Sequence, residues 1–308
     1  MSLANPLMSD VPGINSQSIQ LACWPCDKTK ALVHILHGMG EHKYRYQNFA
    51  AFLNSQGIQV YAHDHLGHGE SINVQSPTGH FGDNAGMKNV VANVNCVQQH
   101  LQNLHPNIPI YLLGHSMGSF IAQSYLINYP NNVKGLILTG SALTPTPLVY
   151  ALKLVAHIEV LRLGKRGTSQ IMNFLTFGSY NNAFKPTRTK FDWLSRDKNT
   201  VDKYIADAFC GFICSCASWL QLAEVLLEIS SSKQLQKISA NLPTLIISGD
   251  KDPVGGFGKY FETLVAHWKK TGHTQVTSHL LADARHEVLN ETDKELTYNL
   301  ITKWIGEL

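Results

Sequence analysis

Residues 110–119 read IYLLGHSMGS. An apolar run enters the pentapeptide Gly114-His115-Ser116-Met117-Gly118, and residues 117–129 then carry a helical pattern. A strand that turns directly into a helix around a serine is a sharp turn, so the residues two before and two after that serine must be small. In this setting the pentapeptide predicts a nucleophile elbow, with the Ser116 hydroxyl lifted above the end of a strand. A glycine-rich strand–helix turn with an idle serine would use the same glycines. The partners offered to Ser116 elsewhere in the chain therefore decide between the two.

The same rhythm surrounds the elbow. Strands are predicted at 31–36, 58–63, 133–140, 243–249 and 275–281, and helices at 44–56, 86–104, 257–270 and 292–307. Short apolar strands alternating with helices predict crossover connections and a parallel sheet covered on both faces. From about 144 to 235 no strand is expected. The chain thus reads as an α/β core over 1–143, a helical cap insertion over 144–235, and a second core segment over 236–308. In open α/β sheets ligands bind outside the carboxyl ends of the strands, and every candidate residue below sits at such an end.

A serine hydroxyl needs a base, and the base needs an orienting acid. In this kind of fold the chain order is serine, acid, histidine. The strand at 243–249 runs into DKDPV, offering Asp250 and Asp252, and the strand at 275–281 runs into ADARHEVLN, offering His286. Asp252 is preferred as the acid because it projects farther than Asp250, which adjoins the last glycine of the strand. Asp283 is a third option. Two oxyanion donors are expected, the backbone N–H of Met117 and that of Met39 in the loop HGMGEH (37–42).

Composition narrows the partners. The 308 residues carry a net charge of +3, with 44% hydrophobic and 15% charged residues, which is a globular balance with no call for nucleic acid. The first twenty residues lack a secretory pattern and no apolar run approaches the roughly 18 residues of a membrane span, so the expected compartment is the cytoplasm. Cys23 and Cys26 form C-x-x-C, but the polar DKTK that follows reads as a strand end and turn rather than as a redox helix. Cys210, Cys214 and Cys216 read as small buried hydrophobes. His63, His65 and His68 in HDHLGHGE match no helix face, so no metal is expected there. No cofactor is expected.

Five stretches, HGMGEHKYRY, HDHLGHGES, GHSMGS, GDKDPV and ARHEVLNE, together resemble the α/β-hydrolase branch that contains monoacylglycerol lipases and bacterial lysophospholipases. The likeness runs from about residue 17 to the end and includes WP at 24–25 and CGF at 210–212. It implies the α/β-hydrolase fold, Ser116, Asp252 and His286 as a triad, and Met39 and Met117 as oxyanion donors. It also implies head-group contacts by Glu41 and Arg45, and a cap over an acyl pocket. Monoacylglycerol lipases carry a second histidine three residues after the catalytic one. Leu289 stands there instead, which leans toward the lysophospholipase-like relatives.

The expected activity is hydrolysis of a lipid ester, of a monoacylglycerol or a lysophospholipid, through an acyl-enzyme. Eleven Lys and Arg face seven Asp and Glu within 144–235, a balance suited to peripheral contact with an anionic membrane. An aminopeptidase on the same fold is the enzymatic alternative, and it would need cap carboxylates for a substrate ammonium. A non-catalytic ligand receptor would be expected to show a broken triad or oxyanion loop. Dehalogenases and epoxide hydrolases of this fold place an aspartate at the elbow, which Ser116 excludes. Oligomeric state is not written in the sequence.

Overall fold

The computed structural model describes residues 5–129 and 133–308. The chain opens with two strands, β1 (Leu7–Pro12) and β2 (Ser18–Trp24). Next come β3 (Ala31–Leu36), α1 (Gln47–Ser55), β4 (Ile58–His63), α2 (Gly86–Leu104), β5 (Ile110–His115), α3 (Met117–Asn128) and β6 (Gly135–Thr139). A run without strands follows: α4 (Thr146–Leu163), α5 (Gln170–Asn173), α6 (Lys198–Ala206), α7 (Cys216–Ser230) and α8 (Ser232–Leu235). The alternation resumes with β7 (Thr244–Gly249), α9 (Lys259–Lys270), β8 (Val276–Leu281) and α10 (Lys294–Gly306).

The eight strands form one sheet in the order β1-β2-β4-β3-β5-β6-β7-β8. The pairs β1–β2 and β2–β4 are antiparallel and the rest are parallel. The antiparallel edge is the part that periodicity did not reveal, because four of the first five residues of β1 face solvent. Strands β3 to β7 are buried along their whole length, so their near-continuous apolar runs are what a two-sided sheet requires.

Successive residues nonetheless serve different faces. Leu112, Leu136, Leu138 and Ile246 pack with α2, α3, α7 and α9. Tyr111, Leu113, Ile137 and Ile247 pack with α1 and α10 on the other side. This alternation is the two-residue period of a strand. Each such side chain contributes roughly 1.5–3 kcal/mol by leaving water, and together they hold the carboxyl ends of β3, β5, β7 and β8 in one rim. Of the helices between β6 and β7, α4 packs along α7, and α7 packs against α2 and α3.

Candidate active site

The turn at Ser116 is strained where the sequence demands it. Ser116 has φ 51° and ψ −120°, a conformation that costs an L-residue roughly 1–3 kcal/mol. The surroundings hold it there. Ser116 N–H donates to Thr139 O at 2.9 Å on the neighbouring strand, and the Ser119 hydroxyl donates to Ser116 O at 2.6 Å. Gly118 cannot be replaced, since a Cβ there would strike the carbonyl of Leu36. Met117 is the first residue of α3, so its N–H has no acceptor within the helix.

His286 and Asp252 meet beside this turn although 34 residues separate them. The Nδ1 of His286 stands 2.9 Å from Asp252 Oδ2. Asp252 is fully buried, and its other oxygen accepts the Val254 N–H at 2.8 Å, while the Ser248 hydroxyl donates to Oδ2 at 3.2 Å. Burial opposes the imidazolium, but the Asp252 charge and hydrogen bond outweigh it and hold His286 above its ordinary value. The carboxylate bond to Nδ1 leaves Nε2 for the substrate side. Asp250 is not brought to the ring; its Oδ2 pairs with Lys251 at 3.1 Å. Asp283 is exposed and also lies near Lys251.

Ser116 and His286 line the same cavity, of about 750 Å³, together with Gly38, Met39, Glu41 and Arg45. Among the described residues no hydrogen bond closes between the Ser116 hydroxyl and the ring. In substrate-free sites such bonds are often long and tighten in the complex. Trp193, from the segment after α5, lies against the ring with centroids 5.0 Å apart. The Glu287 N–H donates to Leu194 O at 2.8 Å, so the strand-free insertion braces the histidine loop directly.

The loop that carries Met39 is fixed from three sides. Glu41 Oε1 accepts the Gly38 N–H at 2.5 Å and the Tyr46 hydroxyl at 2.8 Å. His68 Nε2 accepts the Gly40 N–H at 3.2 Å while its Nδ1 faces Leu66 O at 3.0 Å, which fixes the tautomer. His37 Nε2 accepts the His65 N–H at 2.9 Å. Gly40 has φ 70°, so the turn that presents the Met39 N–H favours a glycine there. Thus His68 has both ring nitrogens spent on backbone groups, and His63 Nδ1 is 3.0 Å from His34 Nε2. Burial drives His68 down to about 3 and His63 and His65 well below their ordinary values. These are neutral packing histidines.

Glu41 and Arg45 lie on the cavity wall, but their charges face each other. Arg45 donates to Glu41 Oε2 at 2.6 Å and, in a fork, to the two oxygens of Glu287 at 2.6 and 2.7 Å. The guanidinium also lies over the ring of Tyr204 at 4.7 Å. Burial would push the Glu41 carboxyl up; Arg45 and the Gly38 N–H hold it below the usual range. Glu287 was not singled out from the sequence, although its place directly after His286 was the available signal. Leu289 is buried in the core among the α1 and α10 side chains and does not line the cavity. Its identity therefore says nothing about the head group, and the lean toward lysophospholipases drawn from it is withdrawn.

The rest of the cavity is aromatic at depth, with Phe177, Phe191, Trp193 and Phe212. Its mouth is polar, with Asn182, Thr187, Lys185 and Lys190. Among the described residues neither lysine has a carboxylate within ion-pair reach. No helix of the described residues is long and apolar enough to cross a membrane.

Known proteins resemble this chain in sequence and fold. The family model for serine aminopeptidase, S33, matches residues 27–293. A monoacylglycerol lipase of Mycolicibacterium smegmatis is 28% identical over 297 residues, covering 95% of this chain and 94% of its own. The human monoglyceride lipase is 28% identical over 242 residues, covering 78% and 72%. A thermostable carboxyl esterase from Bacillus coagulans, solved with glycerol, superposes with a TM-score of 0.89 at 25% identity over 99% of both chains. With the strained serine, the buried histidine–carboxylate pair and the sheet order already in view, the chain belongs to the serine aminopeptidase, S33, family of α/β-hydrolases.

Proposed function

We propose that the chain is a serine carboxylic-ester hydrolase acting on single-chain lipid esters, with a monoacylglycerol as the preferred class. The observation that carries this is the buried Asp252–His286 pair opening into the same cavity as Ser116 at its positive-φ turn. In the proposed reaction the Ser116 hydroxyl attacks the ester carbonyl and His286 takes its proton. The N–H groups of Met39 and Met117 receive the developing oxyanion. His286 then returns the proton to the leaving alcohol, and Asp252 keeps the imidazole in the required tautomer throughout. Water, activated by His286, releases the fatty acid and restores Ser116. The aromatic depth suits an acyl chain and the polar mouth suits a glycerol head.

In this reading Glu41 and Arg45 serve the head group through the loop rather than by direct contact, because their charged atoms are committed to Gly38, Tyr46 and Glu287. The unpaired Lys185 and Lys190 support a second substrate class, the lysophospholipids, whose phosphate they would meet. The aminopeptidase alternative is disfavoured, since the two carboxylates on the cavity wall, Glu41 and Glu287, are both tied to Arg45 rather than free to meet a substrate ammonium.

Residues 144–235 act as the cap. Tyr150, Leu154, Ile158 and Leu161 form an exposed apolar stripe along α4, with Phe174 exposed after α5. The stripe supports peripheral docking on a lipid surface beside the cavity. Six free thiols suit a reducing cytoplasm. Turnover of monoacylglycerols, lysophospholipids, p-nitrophenyl esters and aminoacyl amides tests the reading: monoacylglycerol should be cleaved fastest, and cleavage of the amides alone would overturn it.

A further inference from the structure

The junction between the oxyanion loop and the cap holds three side chains that ester hydrolysis does not use. His42 closes the loop HGMGEH and is buried. Asp207 and Cys210 lie in the turn after α6, 165 residues away from it in sequence. His42 Nε2 is 2.8 Å from Asp207 Oδ2, and one ligand atom from each of the three residues lies within 4.8 Å of the others. The turn itself sets this up. Asp207 Oδ1 accepts the Phe209 N–H at 2.8 Å, and the Cys210 N–H donates to Asp207 O at 3.0 Å, which folds the thiol back toward its own carboxylate.

The charges around the thiol are unbalanced. Glu41, Asp207 and Glu287 act on Cys210 as anions and Arg45 as a cation, which leaves a local surplus of two negative charges. A divalent cation would supply the missing charge, and a coordinating thiol is deprotonated outright. The donor set also selects the ion. Sulfur, nitrogen and one carboxylate oxygen suit zinc, whereas magnesium and calcium take oxygen ligands. Zinc bonds of about 2.0–2.3 Å require the three atoms to draw closer, and the partly exposed turn at 207–210 is the side that can move.

We propose that His42, Asp207 and Cys210 form a three-ligand site for a zinc-type divalent ion, with the fourth position open to solvent. The Cys210 thiol gives up its proton to solvent as the sulfur–metal bond forms, so affinity rises with pH. The site would fasten the cap to the loop that presents Met39. Gly40 O already accepts the Gly211 N–H at 3.0 Å and the Tyr204 hydroxyl at 2.8 Å at this seam. The assignment does not depend on which ester the enzyme cleaves.

Co²⁺ serves as the optical probe, used on the chelator-stripped full chain with Cys23 and Cys26 replaced by serine. One Co²⁺ per chain is expected, with a thiolate-to-metal absorption band that Zn²⁺ abolishes. Cys210→Ser should remove the band, and Asp207→Asn should weaken binding roughly tenfold or more. Absence of the band, a band retained in Cys210→Ser, or unchanged Co²⁺ affinity in Asp207→Asn would overturn the site. A second measurement needs no variant: alkylation of Cys210 in the native chain should slow in the presence of Zn²⁺. Equal labelling with and without the ion would count equally against it.

Discussion

Arg45 and Glu287 are 242 residues apart and meet in a two-bond fork, at 2.6 and 2.7 Å, with the Glu287 side chain buried and that of Arg45 only 10% exposed. The same guanidinium reaches Glu41, whose other oxygen holds the Gly38 N–H. One cation therefore ties the loop that carries Met39 to the loop that carries His286. Removing one partner of a buried pair strands the other charge, which costs about 3–5 kcal/mol. Glu287→Gln leaves Arg45 paired with Glu41 alone, so it should lower unfolding free energy in denaturant titration, by less than that full amount. It should also reduce kcat, because Met39 and His286 lose their common brace. Wild-type stability and turnover in this variant would remove Arg45 from the argument.

Ser116→Ala should abolish hydrolysis of a chromogenic short-chain ester, by at least about 10³-fold, while circular dichroism stays unchanged. Alanine accepts the strain no better than serine, so no gain in stability is expected from relief at φ 51°. Turnover retained in a clean preparation would refute Ser116 as nucleophile.

The two neighbouring aspartates should separate sharply. Asp252→Asn leaves the ring without its anionic partner and should cost about 10⁴-fold in kcat. Asp250→Asn alters only a pairing with Lys251 and should stay within about tenfold of the wild type. The reverse ranking would transfer the acid role to Asp250.

The pH profile follows from the direction of the His286 shift. The base must be neutral to take the serine proton, and Asp252 holds its folded value above 6.5. The acid limb of kcat/KM should therefore bend above pH 6.5, and in Asp252→Asn it should move to lower pH. The stability contribution has the opposite sense. A raised histidine stabilises the fold fully below pH 6.5 and loses that contribution as pH rises through its folded value. Activity should accordingly increase across the window in which this contribution to stability declines, which paired activity and thermal scans would read.

The α4 stripe can be tested apart from the chemistry. Leu154→Ser and Leu161→Ser, together, should reduce co-flotation with anionic phospholipid vesicles while leaving hydrolysis of a water-soluble ester unchanged. Equal flotation of the double variant and the wild type would show that α4 does not dock on lipid.

Much of the molecule was legible from short-range pattern. The strand–turn–helix around Ser116, the buried runs of β3 to β7, and the placement of Asp252 and His286 just past strand ends all follow from spacing and steric demand within a few residues. The antiparallel β1–β2 edge escaped because a half-exposed edge strand leaves no apolar signature. Leu289 misled because sequence position says nothing about which way a loop residue points, and it points into the core.

What the sequence determined by itself was thus the chemistry on offer and its order along the chain: a serine in a forced turn, an acid and a base at successive strand ends. The tertiary structure alone decided the partnerships. It turned Arg45 toward both Glu41 and Glu287, and set His42 against Asp207 and Cys210. Local geometry is fixed by sterics over a few bonds, whereas these contacts span up to 242 residues and exist only because burial of the sheet brings the strand ends to one rim.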